Sequence, residues 1–173
     1  MKLSEVKISE TCSIADIEFI KVSEENGIAC LIAREILFNS MFGKNNNFAE
    51  SEILIKLNKD ILPKLEAAVG AENIKEFDLN LTSLDGLDTY GSIKTKIAIP
   101  TINLYRKHVR ILDKYKVDGW WLSTPDTTPE HYNDIWCRCV SPLGDVDGIS
   151  YDDSIGVRPF LFFDSSISVS CNN

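Results

Sequence analysis

Between Ser123 and Asp134 the chain reads STPDTTPEHYND, and within this stretch Thr127, Thr128, His131, Tyr132 and Asp134 can all donate or accept hydrogen bonds. Two prolines stiffen the backbone that carries them, a composition suited to a presented recognition loop. These five residues are the candidate binding residues, and an ordinary surface connection is the plain alternative. The other histidine, His108, falls in a helical pattern beside its apolar face with no nucleophile or carboxylate in its local motif, so no catalytic residue is assigned.

Two further stretches invite a metal reading and do not sustain it. GDVDGISYDD holds Asp145, Asp147, Asp152 and Asp153, but the spacing is not that of an EF-hand loop, and Asp147-Gly148 reads as a two-residue hairpin turn. The five cysteines (Cys12, Cys30, Cys137, Cys139 and Cys171) have no zinc-type spacing and form an odd set. They fit a reducing compartment better than a disulfide scaffold. Cys137 and Cys139 flank Arg138 in a strand, face one side, and are expected to pack in the core. No metal and no cofactor are therefore expected.

Trp120 and Trp121 precede a Ser-Thr-Pro turn, and Arg158 and Pro159 stand in the apolar run VRPFLFF. In a strand the two indoles point to opposite faces, one to the core and one to an outer or inter-lobe surface. Arg158 cannot lose water without fixed partners, which implies backbone carbonyls or an acid such as Asp126 or Asp145. Pro159 cannot donate to a ladder, so pairing must break there. These four residues read as a structural lock; a stacking platform for a sugar ring is the functional alternative for the tryptophans.

The elements that must position these groups are legible in outline. DIEFIKV and IACLIA, joined through Asn26-Gly27, predict a hairpin over residues 16–33. Asn47 with Glu50 three positions on predicts a capping box, followed by a helix whose stripe is Leu54, Leu57, Ile61, Leu62 and Leu65. Pro63 should bend or restart it, and Gly70 should end it. After a turn at Asp85-Gly86 and a short strand in KTKIAIPT, Thr101 should cap a second helix with Ile102, Tyr105, Val109 and Leu112 on one face. From Gly119 onward the chain reads as short strands, which gives an α+β order rather than an alternating one.

At 173 residues with 44% apolar and 25% charged side chains, the chain reads as one globular domain, residues 1–115 supplying a hairpin and helical portion and 116–173 a Trp-rich β portion. The net charge is −8, and residues 116–173 hold 3 basic and 9 acidic side chains. That stretch offers no stripe of Lys and Arg to follow phosphates, so nucleic acid and anionic membranes are excluded as expected partners. The N-terminus lacks the apolar core of a signal peptide, which predicts cytoplasmic synthesis.

WWLSTP, GDVDGIS and GVRPFLFF together resemble the C-terminal signature of a family of uncharacterised bacterial and bacteriophage domains. The pattern is Trp-Trp-Leu, a variable residue, Ser or Thr and Pro, then a hairpin with Gly, then Gly-Val-Arg-Pro. Trp120, Trp121, Leu122, Thr124, Pro125, Gly148 and Gly156 to Pro159 match it. LNKDIL and LTSLDGL resemble the family's middle section. Ser123 stands where that family commonly has arginine and Phe160 where it has a small residue, so no ligand role of that arginine carries over. The layout is also similar, at fold level, to C-type-lectin-like and formylglycine-generating-enzyme-like domains. The resemblance implies an α+β domain with a twisted antiparallel sheet, two packed helices and a loop-rich C-terminal β region of C-type-lectin-like character. It further implies a non-catalytic binding or structural module, encoded by a phage or prophage, whose partner is a protein subunit, a second copy of the chain or a cell-surface ligand. The enzyme of formylglycine-generating type and the glycan-binding adhesin of a gut bacterium are the alternatives.

Overall fold

The computed structural model describes residues 1–171. The fold is α+β, with strands β1 (Thr11–Ile14), β2 (Ile17–Glu25), β3 (Ile28–Ala33) and β4 (Phe38–Ser40) leading to helices α1 (Glu52–Lys56) and α2 (Leu62–Val69). Then come β5 (Ile74–Lys75), β6 (Phe77–Asn80), β7 (Ser92–Thr95) and helix α3 (Ile102–Leu112). The chain closes on β8 (Trp120–Pro125), β9 (Trp136–Val140), β10 (Val146–Ser150), β11 (Ile155–Val157) and β12 (Phe160–Asp164).

There are two five-stranded sheets, ordered β1-β2-β3-β12-β5 and β10-β9-β8-β11-β4, with β6-β7 as a separate hairpin. The first is the expected antiparallel sheet, antiparallel at every pair, while in the second β11 runs parallel to β8 where Gly156 faces Trp120. Strand β12 lies inside the first sheet and β4 at an edge of the second, so each sheet draws on both halves of the sequence. Asn26 and Gly27 both take positive φ at the β2-β3 turn, 51° and 76°, as a right-twisted hairpin requires.

VRPFLFF is not one strand. β11 ends at Val157, Arg158 and Pro159 cross between the sheets, and β12 begins at Phe160. The crossing runs beside a second one: β3 pairs with β12, and β4 with β11. The Pro159 carbonyl accepts from Ala33 N at 2.8 Å, and the Val157 carbonyl accepts from Leu37 N at 3.0 Å. Proline is tolerated here because the crossing asks it only for its carbonyl.

Three local expectations are corrected, and the restart at Pro63 is as expected. Asn47 caps a 3-10 turn, Phe48–Glu50, rather than an α-helix; Glu50 accepts from Asn45 Nδ2, and Ser51 caps α1 through Leu54 N. The buried face is Ile53, Leu57, Ile61 and Leu65, with Leu54 and Leu62 half-buried. A π-helical turn, Leu57–Ile61, comes before Pro63, which stands in the first turn of α2 where its missing N–H costs least. Asp147 and Gly148 lie within β10 opposite Cys139 and Arg138, and the reversal is made at residues 141–145. Gly148 leaves room for the Arg138 guanidinium, which would stand 3.4 Å from a Cβ there.

Both tryptophans are buried, so the outer-surface position expected for one of them is corrected. Trp120 packs edge to face on Tyr105 of α3 at 5.7 Å. Trp121 meets Phe42 at 5.3 Å and donates from Nε1 to the Ser40 carbonyl at 2.8 Å. Strand β8 is thus covered on both faces. His108 is also buried rather than beside the apolar face, because α3 turns Ile102, Tyr105, His108 and Leu112 inward and leaves Val109 half-buried.

Candidate functional site

The stretch Ser123–Asp134 divides into a buried part and a presented part. Ser123, Thr124 and Pro125 belong to β8 and are buried. Thr128 is fully buried, its hydroxyl 3.1 Å from that of Thr89. Asp134 stands at the loop's base, where its carbonyl accepts from Asn46 N at 2.8 Å. Thr127, His131 and Tyr132 remain together and line a shallow hollow of about 320 Å³ with Leu84, Asp85 and Asp126.

The loop is fastened from beneath by Asn46, which is wholly buried. Its amide donates to the Thr127 carbonyl at 2.8 Å and the Trp136 carbonyl at 3.0 Å, and its side-chain oxygen accepts from Tyr90 Oη at 2.8 Å. From the side, Leu84 N donates to the Pro125 carbonyl at 2.9 Å, and Thr89 Oγ1 donates to Glu130 at 2.6 Å. His131 and Tyr132 both donate their backbone N–H to the Thr128 carbonyl, a tight turn that lifts their side chains outward.

At the centre is Asp85. Its carboxylate accepts from Ser83 Oγ, from Thr127 Oγ1 at 2.6 Å and from His131 Nδ1 at 2.7 Å. The hydrogen bonds from Ser83, then Thr127, then His131 hold this carboxyl well below the usual range. With the Asp85 carboxylate as acceptor, His131 donates from Nδ1, and its Nε2 makes no hydrogen bond among the described residues. Both hydroxyls at hand donate to Asp85, so they are engaged on the Nδ1 side of the ring. This is an oriented histidine without the nucleophile of a triad. Tyr132, 78% exposed, and Leu84 supply the apolar part of the surface, and Asp126 is held by Arg138.

Asp85, Asn46 and Leu84 were not among the candidate site residues; the sequence marked Asp85 only as a turn residue. Asp85 carried a signal, since Ser-x-Asp-Gly is a turn in which a hydroxyl meets a carboxylate, but nothing local connects it to His131.

The remaining candidates lie elsewhere. Asp145 accepts from Ser141, Asp152 from Ser150, and Asp147 from its neighbour Gly148 N. Among the described residues no three His, Cys, Asp or Glu side chains converge as a metal site needs. All five cysteines are free thiols, and burial pushes Cys139 up to about 11 and Cys137 higher still, which keeps the pair protonated and unreactive. Among the described residues no helix is long and apolar enough to cross a membrane. Comparison with protein families, characterised proteins and solved structures finds no match for this chain.

Proposed function

We propose that the chain is a non-catalytic recognition module that meets its partner through the surface formed by His131, Tyr132, Thr127 and Asp85. The observation that carries this reading is the tethering of His131 to Asp85 on a loop anchored by buried Asn46. Such a site holds its polar groups still before binding, which lowers the ordering cost of association. An acyl- or group-transfer enzyme would want a nucleophile at Nε2, and the nearby hydroxyls serve Asp85 instead. A formylglycine-generating enzyme would want reactive thiols, and the burial of Cys137 and Cys139 speaks against that role.

The C-terminal signature supports placing the module among phage- or prophage-encoded domains, as a virion accessory or surface-recognition protein of lectin-like character. Its partner is then a cell-surface ligand or a protein subunit, a second copy of the chain included, rather than nucleic acid or a membrane. The test is retention of the protein on intact bacterial cells, alongside sedimentation of the protein alone. His131→Ala and Tyr132→Ala should each reduce retention or self-association at least several-fold with the melting temperature unchanged, because both side chains are exposed. Full binding by the double variant moves the contact surface elsewhere.

A further inference from the structure

The first sheet leaves part of one face uncovered. Ser23, Cys30, Phe162 and Lys75 stand directly opposite one another across β2, β3, β12 and β5, so their side chains share that face. Leu104, Lys107 and His108 of α3 and Phe77 of β6 stand across from them, and between lies a cavity of about 390 Å³. That is the size of sites that enclose small molecules.

Its lining is chemically incomplete in three respects. Phe77 and Phe162 meet edge to face at 5.0 Å, yet both rings stay half-exposed to the cavity. His108 lines the cavity though only 7% exposed, with its Nε2, unpartnered among the described residues, turned into the wall and the rest of the ring toward the cavity. Buried polar atoms are otherwise almost always partnered. Burial, and then the charge of Lys107, lowers the His108 pKa, so the ring is neutral at pH 7 and can accept as well as donate. At the mouth, Lys75 is engaged by Asp164 at 3.3 Å and by the Glu72 carbonyl. Lys107, Glu25 and Glu76 are exposed there and form no ion pair among the described residues.

We propose that this cavity is a ligand site for a small aromatic zwitterion, in chemical class a free aromatic amino acid. The ring lies against Phe77 and Phe162, where edge-to-face contact rewards aromatic over aliphatic groups. The carboxylate meets Lys107, and the ammonium meets Glu25 or Glu76. A lining that combines two phenylalanines with exposed charges of both signs matches a ligand with an apolar ring and two opposite charges.

Calorimetric titration tests this with L-tryptophan, indole-3-propionate, which lacks the amine, and tryptamine, which lacks the carboxylate. L-Tryptophan should bind saturably, one per chain, and more tightly than either analogue. Lys107→Met should weaken L-tryptophan and indole-3-propionate about 10-fold or more, as expected for loss of a charged hydrogen bond, and leave tryptamine unchanged. Both Lys107 and Glu25 are exposed, so their variants keep the fold. His131→Ala should bind L-tryptophan normally, which separates this site from the loop surface proposed above. Absence of saturable heat up to about 10 mM ligand, where even ~1 mM affinity registers, overturns the proposal. So does equal affinity for L-tryptophan and indole-3-propionate, or a Lys107→Met variant that binds L-tryptophan like the parent.

Discussion

Arg158 is 1% exposed, and its position decides what kind of residue it is. Its Nε donates to the Ala33 carbonyl at 2.8 Å, and its guanidinium lies over the Trp120 ring at 5.1 Å. Neither of the acids expected for it serves: Asp126 holds Arg138 and Asp145 accepts from Ser141. No carboxylate lies within ion-pair distance among the described residues, Nη2 has no partner there, and burial pushes the guanidinium down to about 10. The charge is thus a cost carried for the sake of joining β3, β8 and the crossing. Arg158→Ala leaves the Ala33 carbonyl unpartnered and the Trp120 face bare, and should cost roughly 2–5 kcal/mol. Arg158→Met, which refills the volume without the charge, should recover at least half of that in chemical denaturation. Equal loss in both variants would mean that the guanidinium and its bond to Ala33, rather than side-chain volume, hold the crossing, whereas a native melting temperature in Arg158→Ala would assign Arg158 to recognition. The need for fixed partners was legible from one arginine among aromatics. Which partners was not, because Ala33 is far away in sequence and a carbonyl leaves no mark on residue type.

Elements repeat this lesson with a different cause. Hairpin β2-β3, the Thr101 cap of α3 and the restart at Pro63 follow from neighbours in sequence, and they appear where their residues place them. The break in VRPFLFF at Pro159 was legible from the proline, but periodicity could not tell that it carries the chain from one sheet to the other. The same limit hid Lys21, which looks like an outward residue of β2 but is buried, donating to the carbonyls of Leu3 and Val6 at 2.9 and 2.8 Å and pairing with Glu24. Gly156 is where the crossing is tightest: it is the one residue of β11 that faces β8, and a Cβ would stand 2.8 Å from the Gly119 carbonyl oxygen and collide with Ile36. Gly156→Ala should therefore push β8 and β11 apart and cost about 1–3 kcal/mol. In a chain of this size that is roughly 2–4 °C of Tm for each kcal/mol. An alanine variant that melts with the parent would show that these strands shift to admit a methyl.

Across the whole molecule, the acidic excess is placed to make stability fall on one side of neutral pH. Hydrogen bonds from Ser83 hold Asp85 low, those from Ser166 hold Asp164 at about 2, and bonds from Arg34 and Lys21 hold Glu18 and Glu24 below their ordinary value. Each binds a proton less readily folded than unfolded, so its contribution is complete above the ordinary carboxylate range and is lost as pH falls through the lowered folded value. Buried His108 acts in the same sense and earlier: its folded pKa lies below 6.5, so from pH 6.5 downward the unfolded chain takes up a proton the folded one refuses. Thermal melting followed from pH 8 to pH 3 should show a first decline beginning near 6.5 and a second below about 4.5, with no comparable loss between pH 7 and 8. His108→Gln should remove the first decline and leave the second. The carboxylates lie on separate elements, Glu18 and Glu24 on β2, Asp85 beneath the loop and Asp164 at the end of β12, so no single Asp→Asn change should abolish the second. A first decline that persists in His108→Gln would place the titrating group elsewhere.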